Sequence, residues 1–226
     1  MTWLSDLFTN PALTTALPEA FVETLLMVVI SGVATVVIGG ALGVLLHIGR
    51  PGGLRPLPGL YPILSSVIVN ITRSIPYAIL MVALIPFTAW LVGTSIGPIA
   101  ACVSLTIGTA PFFARLVETA LREVPSGTVD AAQVMGSSRW QIVKKVLLPE
   151  ALPGLVAAVT TTLVTLVGYS AMAGLIGGGG LGRLAYNYGY QRFDTGVMVV
   201  TIVVMVILVQ LIQWIGDLIV RRVDHR

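Results

Sequence analysis

The sequence predicts an all-α integral membrane protein with five transmembrane helices and a cytoplasmic two-helix loop. Composition is the first reason. The 226 residues are 56% hydrophobic and 10% charged, against about 45–50% apolar and about 25% charged in soluble domains. Mean hydropathy is +0.94. The second reason is patterning. No charged side chain occurs in 24–46, 74–114, 151–182 or 195–216, and a helix needs about 20 apolar residues to cross a hydrocarbon core of roughly 30 Å. A soluble globular domain is excluded, and so is a disordered chain, which needs low hydrophobicity and high charge.

The elements follow in order, within what reads as one transmembrane domain over 1–226. Span one is expected at 22–46. Residues 1–23 contain no Lys or Arg, so the basic region of a cleavable signal peptide is missing and this apolar stretch is read as retained. Arg50, Pro51, Gly52, Gly53 and Arg55 then form a polar turn. Span two is expected at 60–86; it is interrupted by Arg73, Pro76 and Pro86, and Pro76 is a possible breaking point because proline lacks a backbone donor. A turn between Gly93 and Pro98 leads to span three at 97–116. The loop 117–152 gathers eight of the chain's 23 charges. Span four is expected at 153–175, with Pro153 suited to a first helical turn. A glycine-rich and tyrosine-rich stretch fills 176–194, span five follows at 195–219, and a basic tail ends the chain.

Five spans put the termini on opposite sides. With the C-terminus inside, ten of 13 basic residues fall in inner segments (Arg50, Arg55, Arg115, Arg122, Arg139, Lys144, Lys145, Arg221, Arg222, Arg226) and two outside (Arg183, Arg192), with Arg73 within a span. The positive-inside rule therefore places the N-terminus outside and loop 117–152 in the cytoplasm. The net charge of +3 is spent on orientation and gives no reason to expect nucleic acid. Cys102, the single cysteine, has no intrachain partner and reads as a small buried hydrophobe.

Within the loop, Thr128 is expected to cap a first helix, with Asp130 in its first turn favouring the helix dipole. Val129, Ala132 and Met135 share one face, and Gly136 follows where a helix ends. Ser138 and Gln141 have the spacing of a capping box that opens a second helix. Trp140, Val143 and Leu147 line its apolar face, and Leu148-Pro149 is expected to stop it. Such a pair of helices either lies against the bilayer and its own spans or serves as a knob that inserts into a cytoplasmic partner.

Other features offer little chemistry. Gly177, Gly179 and Gly182 match G-x-G-x-x-G, and 177–184 mimics a phosphate-binding loop with Arg183 for Lys and Leu184 for Ser/Thr. No βαβ unit surrounds them, so the glycines are read as a site of bending or close backbone approach. Asn70-Ile71-Thr72 matches a glycosylation pattern at span depth and is set aside. His47 and His225 are the only histidines and make no metal cluster. Glu118 and Glu123 read as solvated or ion-paired. Arg73 is costly within a bilayer, by about 2.5–3.5 kcal/mol on insertion scales; it either pairs, faces a water-filled cavity, or snorkels to the interface. Tyr169 and Met172 lie three apart on one helix face, as ordinary packing or as a gate to a translocation path.

Asp130-Ala131-Ala132, then Gly136, then Leu148-Pro149 resembles the loop motif of ABC importer permeases, with Asp in place of the usual Glu. Asn70–Pro76, Val92–Gly97, Val143–Leu155 and Leu166–Met172 are similar to the methionine-importer branch. The resemblance implies the type I importer permease fold and a coupling role for Asp130, Ala131, Ala132, Gly136, Leu148 and Pro149. It favours Tyr169 and Met172 as gate residues; Arg73 joins them as a path candidate on the cost of its charge in the bilayer. It also implies a bacterial inner-membrane location, a homodimer, two cytoplasmic ABC ATPase subunits that bind ATP and magnesium, and an external substrate-binding protein, either a lipoprotein or periplasmic. No cofactor or metal is expected on this chain. Permeases for another amino acid or small anion, and a secondary transporter or channel without an ATPase, are the alternatives.

Overall fold

The computed structural model describes residues 10–224. The N-terminal end, His225 and Arg226 lie outside the described residues. The helices are α1 (Ala12–Gly49), α2 (Leu60–Ser74), α3 (Tyr77–Ala83) and α4 (Ile85–Val92). They continue with α5 (Pro98–Arg122), α6 (Ser126–Val134), α7 (residues 139–150) and α8 (Leu152–Leu175). The last are α9 (residues 180–190) and α10 (Thr195–Val223). No strand occurs among the described residues. The protein is all-α, and α1, α5, α8 and α10 are each long and apolar enough to cross a bilayer; the bent pair α2–α3 makes a fifth span if its pieces are one broken crossing.

Boundaries differ from the apolar runs for physical reasons. The expected span over 60–86 is three helices, because Ile75 and Pro76 adopt extended dihedrals (ψ 124° and 131°) and the chain bends by 102° there. A residue before proline is pushed out of the helical region. A second interruption at Leu84 separates α3 from α4, whose first turn holds Pro86. α1 begins at Ala12 and α5 runs to Arg122, since hydrogen bonding continues after the apolar pattern stops.

The chain divides into two compact units. One comprises the chain up to Val33, Pro76–Gly108 and Leu163–Ile212; the other comprises Ala34–Ile75, Thr109–Thr162 and the chain from Gln213 on. The first is built around Met27, Leu105, Leu166, Leu181 and Val197, all almost fully buried. Thr24 Oγ1 accepts the Leu181 amide at 2.9 Å, and a Glu23 carboxylate oxygen accepts the Gly180 amide at 2.6 Å.

In the second unit, α1 lies close along α5. A Cβ on Gly43 would stand 2.6 Å from the Ala114 carbonyl oxygen and 2.7 Å from Val117 Cβ. The approach is possible only with glycine, the small-residue device of membrane helices. Thr35 and Thr109 share a hydrogen bond of 2.7 Å in the same seam. At the end of α1, His47 is buried.

Candidate functional site

The two-helix loop belongs to the second unit. α6 begins at Ser126, behind Pro125 in an extended conformation. Thr128 is therefore inside the helix, and the expected cap is not used. Proline cannot continue the preceding helix, so α6 starts immediately after it. At the other end the Gly136 amide donates to the Gln133 carbonyl (2.9 Å) and the Ser137 amide to the Ala132 carbonyl (3.1 Å), the paired bonds of a Schellman ending. Gly136 has φ +81° with open space where a Cβ would be. The backbone angle, and not crowding, calls for glycine.

α7 opens as the spacing predicts. The Ser138 amide donates to Gln141 Oε1 at 2.7 Å, and the Gln141 amide to Ser138 Oγ at 3.4 Å. Leu148-Pro149 does not stop the helix, which continues to Glu150 and breaks at Ala151 (φ −82°, ψ −1°). A widened turn over Val143–Leu147, in which the Leu148 amide reaches the Val143 carbonyl, accommodates the proline.

The apolar faces are partly rotated from the expected ones. Ala132, Ile142, Val143 and Leu147 are buried and pack with Phe113, Val117, Leu121 and Val124, each aliphatic side chain contributing roughly 1.5–3 kcal/mol. Val134, Met135 and Trp140 are instead 88%, 78% and 69% exposed. Met135 and Trp140 thus leave the faces assigned to them, and Ile142 takes the interior place. Asp130 and Ala131 are exposed beside them. Asp130 and Gln133 also border a cavity of about 620 Å³ that Arg50 and Arg122 line. The outcome is a rigidly supported knob with apolar side chains at its tip.

A charged knot braces the helix that supports this knob. Glu118, 1% exposed, takes Arg115 and Arg122 at 2.5 Å each. Arg115 also donates to Ser65 Oγ (3.1 Å) and Asn70 Oδ1 (2.8 Å), and Tyr61 Oη donates to Glu118 at 3.4 Å. The i, i+3 and i, i+4 spacing makes the pairs legible; the partners from α2 are not, because 57 and 45 positions separate them.

The path candidates fall in both units. In the first, Tyr169 stacks on Tyr77 with ring centroids 4.2 Å apart and planes 5° apart. Tyr77 was not singled out by the sequence; it shares a hydrogen bond with Ser104 (3.3 Å) and donates to Met81 Sδ (3.6 Å). Met172 is 37% exposed. In the second, Arg73 is exposed in the last turn of α2, its guanidinium 5.8 Å from the Phe112 ring centre, in cation–π range.

The glycine turn holds Gly177, Gly179 and Gly180 at positive φ. The backbone amide it offers at Gly180 is taken by the chain's own Glu23. No cluster of His, Cys, Asp or Glu among the described residues could hold a metal ion.

Residues 55–225 match the family model described as "binding-protein-dependent transport system inner membrane component". The chain is 56% identical over 204 residues to the probable D-methionine transport system permease protein MetI of Vibrio cholerae, covering 90% of each chain. It is 58% identical over 152 residues to the D-methionine transport system permease protein MetI of Escherichia coli K12, covering 67% of this chain and 70% of that one. A solved structure of inward-facing conformations of the MetNI methionine ABC transporter superposes with TM-score 0.88 at 56% identity, over 90% of this chain and 94% of that chain.

Proposed function

The chain belongs to the family of binding-protein-dependent transport system inner membrane components, and on that premise we propose that it is the permease subunit of an ATP-driven methionine importer. Two copies form the translocation path, and each presents its α6–α7 knob to one cytoplasmic ABC ATPase, which binds ATP and magnesium. An external substrate-binding protein delivers the amino acid. The similarity to methionine permeases over 90% of the chain supports the substrate.

The observation that carries the coupling role is the knob itself. Its tip, Val134 and Met135, is almost wholly exposed, while its base at Ala132, Ile142 and Leu147 is buried. A stand-alone channel has no use for an apolar tip held rigidly in water. Asp130, Ala131, Ala132 and Gly136 shape the first helix and its ending; Leu148 and Pro149 connect the second to α8. When the ATPases close on ATP, a knob anchored on α5 transmits their motion as a rigid body, turning the path from inward to outward access.

The segments 93–97 and 176–194, the latter with α9, belong to the first unit, and 50–59 and 123–138, the latter with α6, belong to the second. An N-terminus outside and a cytoplasmic C-terminus in a bacterial inner membrane rest on the ten of 13 basic residues that fall in inner segments. Tyr169, stacked on Tyr77, and Met172 are the gate candidates, since a flexible thioether re-packs around a passing apolar side chain. Arg73, at the break after α2, is the third path candidate.

The test is reconstitution with ATPase and binding protein in vesicles. Excess methionine is expected to suppress uptake of labelled methionine, and Gly136→Val to abolish ATPase association while the chain stays folded. Uptake unaffected by methionine but suppressed by another amino acid would overturn the substrate. Normal assembly of Gly136→Val would overturn the coupling role.

A further inference from the structure

We propose that the second unit holds one acyl chain of an anionic phospholipid in a groove formed by α1, α5, α7 and α8, with the phosphate met by Arg139 and Lys144. The groove has a volume of about 540 Å³ and is lined by Val36, Val44, Ile48, Phe113, Trp140 and Val159, among others, none of them charged. That is the size range of small-ligand pockets.

Three features select a lipid tail. From Val36 to Ile48 the groove follows α1 for about 18 Å at 1.5 Å per residue, close to the ~15 Å of one leaflet. Ala41 and Leu45, on its rim, are exposed apolar side chains of a membrane-spanning helix. Trp140 lines the groove while 69% exposed, the position of an aromatic residue at the membrane–water boundary.

The headgroup preference comes from charge. Lys144 is one helical turn from both Trp140 and Leu148, and Arg139 is one turn from Val143; all three apolar residues line the groove. Both cations are exposed, and among the described residues neither has an ion-pair partner. Basic pockets beside cytoplasmic helix ends take anionic headgroups. The inference rests on the cytoplasmic placement of α7 proposed above, but not on methionine as substrate.

The test is native mass spectrometry of the full chain, purified with its ATPase, in detergent carrying equal amounts of phosphatidylglycerol and phosphatidylcholine. The wild type is expected to retain phosphatidylglycerol preferentially. Arg139→Gln with Lys144→Gln lowers that retention by about fivefold per removed cation and leaves phosphatidylcholine unchanged. Ala41→Phe, an exposed substitution that fills the groove, lowers retention of both lipids. Equal retention of the two lipids by the wild type, or unchanged retention in either variant, overturns the proposal. So does a switch from dimer to monomer in Ala41→Phe with lipid still bound, which makes the groove a contact between copies. Loss of ATPase association in every sample, with lipid preference intact, would count against the transport reading alone.

Discussion

The two units bury different kinds of polar group. In the first, the buried polar side chains among the described residues are all hydroxyls: Thr24, Ser31, Thr88, Ser104, Ser170 and Thr201. In the second, five buried hydroxyls (Thr35, Ser65, Thr109, Thr160 and Thr162) are joined by Glu118 and His47. The first also holds Met27, Met81, Met172, Met198 and Met205, whereas Met135 is the second unit's only methionine. Flexible thioethers tolerate re-packing, while a buried carboxylate between two guanidiniums does not; close glycine approaches occur in both units, at Gly43 in the second and at Gly174, Gly178 and Gly182 in the first. The charged brace lies in the unit that carries the knob, and five methionines lie in the unit that carries Tyr77 and Tyr169. A lever needs the former, and a path that must open and close needs the latter.

The largest effect should come from the charged knot. Arg115→Ala with Arg122→Ala leaves the Glu118 carboxylate, 1% exposed, without a cation, and thermal unfolding of the purified chain is expected to show a loss of about 3–5 kcal/mol. A loss below ~1 kcal/mol would mean that the knot is not a brace. Gly43→Leu is next, at about 3 kcal/mol, because the nearest atom is an immovable carbonyl of α5. Gly168→Ala in α8 is its control: nothing lies within 4 Å of the added Cβ, and stability should be unchanged or raised by up to about 1 kcal/mol.

In the first unit, Tyr77→Phe keeps the ring stack and removes only the hydroxyl shared with Ser104. The same unfolding assay should record about 1 kcal/mol; a loss equal to that of the double arginine variant would erase the distinction between the units. The smallest effect is expected for Ser138→Ala, about 0.5–1 kcal/mol from one cap, read as faster amide exchange in the first turn of α7.

Local chemistry was legible in the sequence where the partners are near in the chain. The capping box of Ser138 and Gln141 and the ending at Gly136 depend on residues three or four apart. The faces of the knob were less legible. Periodicity put Met135 and Trp140 with the buried residues, but which stripe turns inward depends on where α5 presents Phe113, Val117 and Leu121. Both breaks in the second apolar run carried a proline mark in the sequence: Pro76 at the sharp bend, and Pro86 in the first turn after the interruption at Leu84 (ψ −3°). The Tyr77–Tyr169 stack joins residues from different spans, and no spacing rule reaches it.

The most direct test of the account is the tip of the knob. Val134→Asp with Met135→Asp changes only exposed side chains. The unfolding temperature of the purified chain should therefore stay within a few degrees of the wild type, while co-purification of the ATPase and ATP-driven uptake are lost. An intact complex with normal uptake would contradict the claim that this tip receives the work of the ATPase.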